Sequence, residues 1–99
     1  MIRRMILWKL RTEYDEIKKE EIRREIKTGL ESLVGVIPGL LEMRVQTGGL
    51  ASSTADLMLD STFESKEALD RYKDHPAHVA VADGSVRPHV ETRLCLDFE

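Results

Sequence analysis

Tyr72, His78, His75, Arg4 and Cys95 are the side chains of this 99-residue chain most able to do chemistry. His75 and His78 stand in the run H-P-A-H, which invites a metal reading with His89 as a third histidine. Pro76 pushes His75 out of the helical region, and no third ligand sits in register, so no metal is expected. His78 alone is more informative. It falls in the first turn of a helix opened by Pro76, where the positive end of the dipole disfavours the imidazolium, and a neutral imidazole can accept a proton. Tyr72 precedes it by six residues and can return across the Asp74-His75-Pro76 turn. That pairs a donating phenol with an accepting imidazole and suits enolisation or aldol-type proton transfer beside a carbonyl. Buried Tyr and His can equally do no more than tie a helix start to the sheet. Cys95 has no activating neighbour, which argues against a nucleophilic thiol.

The elements that must position these groups follow from periodicity. IRRMILWKL, from Ile2 to Leu10, alternates Arg4, Ile6, Trp8 and Leu10 with Met5, Leu7 and Lys9; a strand apolar on both faces is central in its sheet. Thr12 is the expected N-cap of a helix carrying Ile22, Ile26, Leu30, Leu33 and Val34 on one face, and its mixed charges describe a solvated surface. Gly35 and Pro38-Gly39 stop it. Leu41, Met43 and Val45 then face inward from an edge strand whose Glu42, Arg44 and Gln46 face outward. Leu57, Leu59 and Phe63 mark a third strand, Ser65 caps the helix SKEALDRY, and a last strand runs from His89 to Phe98. Strict alternation there puts Val90, Leu94, Leu96 and Phe98 on one face and Glu91, Arg93, Cys95 and Asp97 on the other.

The order strand, helix, strand, strand, helix, strand predicts one domain over 1–99, an α+β ferredoxin-like βαββαβ sandwich with both helices on one side of a four-stranded antiparallel sheet. The other face is then bare, with Met5, Leu7, Met58 and Cys95 at its middle and Lys9, Glu42, Arg44, Asp60, Arg93 and Asp97 around them, and a two-fold homodimer would cover it. Arg4 points into the greasy layer under the helices, where a charge must snorkel to solvent, pair with a carboxylate, or line a cavity receiving an anionic group. The snorkel is the favoured arrangement, and Trp8 reads as core.

Composition narrows the function. Apolar residues are 41% of the chain and charged residues 33%, which fits a globular fold, and a net charge of -3 spread along the sequence gives no reason to approach nucleic acid or an anionic membrane. The single cysteine excludes an internal disulfide, and no apolar run nears the roughly 18 residues of a spanning helix. Met1 leads directly into a strand pattern, so a reducing cytoplasm is the expected compartment. Gly48-Gly49-Leu50 lacks the Lys-Ser or Lys-Thr of a phosphate loop, and no cofactor is expected.

MIRRMILWKL, the turn IPGL, FESKEALDRYKDHPAHVAVAD and the closing RLCLDFE resemble the stress-responsive A/B-barrel family, the dimeric α/β-barrel domains. The resemblance spans nearly the whole chain and is most specific from Phe63 to His78. It implies the ferredoxin-like fold and a sheet-to-sheet homodimer. A plant polyketide cyclase resembles the family and uses a Tyr and a His as acid and base; Tyr72 and His78 match those positions, and His75 matches the first histidine of the motif. Arg4 stands where the family commonly has a first-strand histidine. An arginine is no proton acceptor, and it would instead hold a substrate carboxylate. The resemblance thus implies a small-molecule pocket between helices and sheet, with Tyr72 and His78 catalytic and Arg4, Trp8, Leu30 and His75 binding a small carboxylate or keto compound in a cofactor-free lyase, cyclase or isomerase. A non-enzymatic stress-associated or assembly protein is the other reading.

Overall fold

The computed structural model describes residues 1–99. Alternation builds four strands, β1 (Ile2–Leu10), β2 (Leu40–Gln46), β3 (Leu57–Phe63) and β4 (Val90–Phe98). They form one antiparallel sheet in the order β2-β3-β1-β4, with β1 and β3 central. Helices α1 (Glu16–Glu31), α2 (Lys66–Asp74) and α3 (Pro76–Val81) complete a ferredoxin-like α+β fold. A π-helical turn over Ala82–Val86 and a 3-10 turn over Arg87–His89 lead from α3 into β4. None of the helices is long and apolar enough to cross a membrane.

Ile22, Ile26 and Leu30 of α1 meet Ile6, Trp8, Leu10, Leu57, Leu59 and Phe63 of the sheet in the core. Ser65 caps α2 as expected, its hydroxyl accepting from Ala68 N at 3.1 Å. The cap of α1 is Asp15 and not Thr12: its carboxylate accepts from Lys18 N at 2.8 Å, because the chain first turns to bring the Tyr14 hydroxyl within 2.9 Å of His89 Nδ1. Val34 is exposed, since α1 ends at Glu31 and the turn that follows buries Leu33 and Ile37 in its place. Leu41 is also exposed, because a register shift between Leu40 and Glu42 gives the inward position to Leu40. Outside β2, Lys27 Nζ donates to Val45 O at 2.9 Å and Glu31 Oε2 accepts from Val45 N at 2.9 Å, so two α1 side chains occupy backbone groups of that edge.

The largest departure lies in β4. Leu10 pairs with Val90 but Lys9 pairs with Thr92, so Glu91 is an extra residue, and a bulge of one residue inverts the faces of everything beyond it. Cys95 therefore stands opposite Ile6, Asp97 opposite Arg4 and Arg93 opposite Trp8, all on the helix side. The assignment of Cys95, Arg93 and Asp97 to the bare face is thereby corrected. Their places are taken by Leu94 and Leu96, each 64% exposed, and by Phe98. With Met5 and Leu7 they make the β1–β4 half of the outer face apolar, while Asp60 and Arg44 keep the β2–β3 half charged. Arg3 sits at the seam, bonded to Asp60 at 2.7 Å with its guanidinium over the Phe98 ring.

Gly39 closes the turn before β2 at φ +85°, and a Cβ there would lie 2.5 Å from Ala68 Cβ on α2. Both the left-handed backbone and the contact oppose a side chain. Gly39→Ala is expected to cost about 2 kcal/mol or more and to lower the melting temperature by roughly 10 °C, read by calorimetry.

Candidate functional site

Helices cover β2, β3 and β1 but leave β4 open, and between that uncovered edge and the α3 segment lies a cavity of about 750 Å³. Ile6, Trp8, Leu30, Leu59, Val86 and Val90 supply its apolar lining; Arg4, Tyr72 and His78 enter it with Lys73, Asp74, Arg87, Glu91 and Arg93. Of the residues singled out by sequence, Tyr72, His78, Arg4, Trp8 and Leu30 thus converge. His75 does not line this cavity. Its extended backbone before Pro76 ends α2, and its Nδ1 accepts from Ala77 N at 3.1 Å, capping α3.

The turn through His75 and Pro76 carries His78 back over Tyr72, with ring centroids 4.2 Å apart and planes inclined by 34°. The two rings meet in a tilted contact, and the expected phenol-to-imidazole hydrogen bond is not formed. The Tyr72 hydroxyl points instead towards Met43 Sδ at 3.9 Å, while its ring packs edge-on against Phe63. Burial pushes the Tyr72 phenol well above its ordinary pKa, an effect that the nearby Arg4 charge only tempers. It stays protonated and can act as donor alone.

His78 Nδ1 lies 3.2 Å from Lys73 O. A carbonyl only accepts, so Nδ1 carries the proton and the neutral ring presents Nε2 as the acceptor. The His78 pKa is lowered, first by burial and then by the charges of Arg87 and Arg4, against the pull of the Lys73 carbonyl and Asp83. The direction matches the expectation from the helix start; the leading cause is desolvation.

Arg4 is 7% exposed, so the expected snorkel is not adopted. Its Nε donates to Asp97 Oδ1 at 2.7 Å and its Nη2 to Asp97 Oδ2 at 3.0 Å, a bidentate pair made possible by the Glu91 bulge. Arg4 holds the Asp97 carboxyl below its ordinary pKa; burial, the largest single effect on Arg4, would lower its pKa, and Asp97 together with Cys95 and Tyr72 more than offsets it. Asp97, Arg93, Arg87 and Lys73 were not singled out by sequence. A lone arginine on a greasy strand face signals a missing carboxylate, but the strand parity that identifies Asp97 is invisible without the bulge. No cluster of three or more His, Cys, Asp or Glu side chains is placed to hold a metal ion.

The stress responsive A/B barrel domain model matches residues 2–99. A dimeric protein of unknown function and ferredoxin-like fold from Bacteroides fragilis is 26% identical, with a TM-score of 0.92 over 99% of this chain and 94% of that one. A Dabb family protein from Mesorhizobium loti is 22% identical, with a TM-score of 0.75 over 99% and 94%. A hydroxynitrile lyase from Passiflora edulis is 16% identical and shares the fold, with a TM-score of 0.76 over 98% and 90%. No curated protein matches the chain.

Because its folded-state pKa is depressed, His78 binds its proton later in the native chain than in the unfolded one, so its share of stability is present above the ordinary histidine value of about 6.5 and is lost as pH falls through the lower, folded value. Proton NMR titration is expected to place the His78 midpoint below that value, and Arg87→Ala to move it upward.

Proposed function

Since the chain belongs to the stress responsive A/B barrel domain family, we propose that it is a homodimeric small-molecule-binding protein that performs cofactor-free acid–base chemistry on a small carboxylate or keto compound, as a lyase, cyclase or isomerase. The observation that carries this reading is the convergence of a neutral imidazole and a buried guanidinium on one cavity with an apolar floor, with the ring of the protonated Tyr72 packed against the imidazole. His78 Nε2 takes a proton from carbon next to a carbonyl, Tyr72 supplies a hydrogen-bond donor once its hydroxyl turns from Met43 Sδ to the ligand, and Trp8 and Leu30 hold the apolar body of the ligand. Arg4 supplies the positive charge. His75 serves by capping the helix that carries His78.

The dimer forms through the outer sheet face. Leu94 and Leu96 are more exposed there than an isolated soluble sheet needs, and covering such side chains is worth about 1 kcal/mol or more each. Cytoplasmic residence belongs to the same reading: the exposed thiol of Cys95 is kept reduced there.

Thermal melts with a panel of small aromatic and keto acids test the pocket. A ligand at a hundred times its Kd stabilises by about 2.7 kcal/mol, a shift of roughly 10 °C, and this shift should vanish in Arg4→Ala. Turnover of any ligand so found should be lost in His78→Ala with little change in assembly. A panel without a single shift would overturn the pocket and leave the non-enzymatic reading. For the dimer, Leu96→Asp puts a charge at the centre of the apolar half, and light scattering at micromolar concentration should report two chains for the natural protein and one for the variant.

A further inference from the structure

We propose that Arg4 is the group that receives the ligand's carbonyl oxygen as it becomes negative, and that Asp97 is the positioning residue that fixes Arg4 for this task; the inference rests on the acid–base reading of His78. Asp97 engages Arg4 side-on, through Nε at 2.7 Å and Nη2 at 3.0 Å, and two parallel bonds fix the plane of the guanidinium. Nη1 makes no hydrogen bond within the chain, so both of its N–H groups are unspent in a side chain that is almost wholly buried yet lines the cavity. Arg4 shares the cavity with the proton acceptor His78, and its charge bears on both Tyr72 and His78. Of the other cations lining the cavity, Lys73 and Arg87 are engaged by Asp70 and Asp83, while Arg93 makes no ion pair and lies on the exposed strand β4 opposite Trp8, without the bidentate anchor that fixes Arg4.

The chemistry that fits is enolisation of a carbonyl compound with a C–H next to the carbonyl. That C–H bond breaks, its proton goes to His78 Nε2, and its electron pair forms the C=C bond. The former C=O π pair moves onto oxygen, which accepts hydrogen bonds from Arg4 Nη1. Donors already fixed where charge develops need no reorganisation as it appears. Asp97 is itself negative, so by charge alone its removal would favour an anion in the cavity; by orientation its removal would disfavour one. The two effects have opposite signs, which makes the role measurable.

The probe is 4-nitrophenol, whose phenolate oxygen stands in for the enolate and whose ionisation is read from its absorbance; binding is measured separately by equilibrium dialysis. In the natural protein the bound probe should ionise about one pH unit or more below the free probe, equivalent to tenfold tighter binding of the phenolate than of the phenol. Most of that shift should disappear in Asp97→Asn, return in part in Asp97→Glu, and persist in His78→Ala. Arg4→Lys, which keeps the charge and removes the fork, should also lose it and covers the case in which Asp97→Asn does not fold. An equal or larger shift in Asp97→Asn, or loss of the shift in His78→Ala, would overturn the assignment. Binding without any shift would sink this inference and spare the pocket, whereas absence of binding would sink both.

Discussion

A single inserted residue organises both sides of this sheet. Glu91 has no partner on β1, and from that point β4 presents to the helices the side chains that regular alternation would have turned away. Arg4 gains its carboxylate in consequence. An arginine buried under a helical layer without a counter-charge would cost several kcal/mol, and the fold could keep it only by letting it escape to solvent. The same inversion sends Leu94, Leu96 and Phe98 outward. A polar inner strip and an apolar outer strip on one edge strand are therefore two results of one irregularity, and neither can be altered by a register change without losing the other.

Around that strip the helices leave a gap. Because α1 and α2 pack over β2, β3 and β1, the helix side of β4 is roofed only by α3 and the π-helical turn, and the cavity occupies the space between. Tyr72 reaches it from the last turns of α2, and His78 from α3 after the chain reverses at His75 and Pro76. Pro76 sets the reversal, the His75 ring satisfies a backbone donor at its far side, and the His78 ring is left stacked on Tyr72 with one nitrogen committed to Lys73 O. The site is thus assembled by short-range backbone chemistry on one side and by long-range strand pairing on the other.

That division decides what could be read in advance. The succession of strands and helices along the chain, the central position of β1, the capping of α2 by Ser65 and the return of His78 over Tyr72 are written in local patterns of period two, period three to four and proline placement, and each was legible. The cap at Asp15 escaped because Tyr14 first turns towards His89, a contact across 75 positions in sequence. The burial of Arg4 and the inward position of Asp97 escaped for a related reason. They depend on which residue of β4 faces which residue of β1, across 93 positions in sequence, and a bulge has no hydrophobic signature of its own. Stacking in place of a hydrogen bond between Tyr72 and His78 also lay outside sequence reasoning, since spacing brings rings together without fixing their mutual tilt.

The grip of Lys27 and Glu31 on Val45 has its own consequence for how folded copies can aggregate. An intruding strand at the β2 margin must first evict two helix side chains that already satisfy the N–H and carbonyl of Val45, whereas β4 carries no such guard. Edge-to-edge growth is thereby made one-sided: two copies joined through their free margins present only guarded ones, and the ladder has no easy place to add a third.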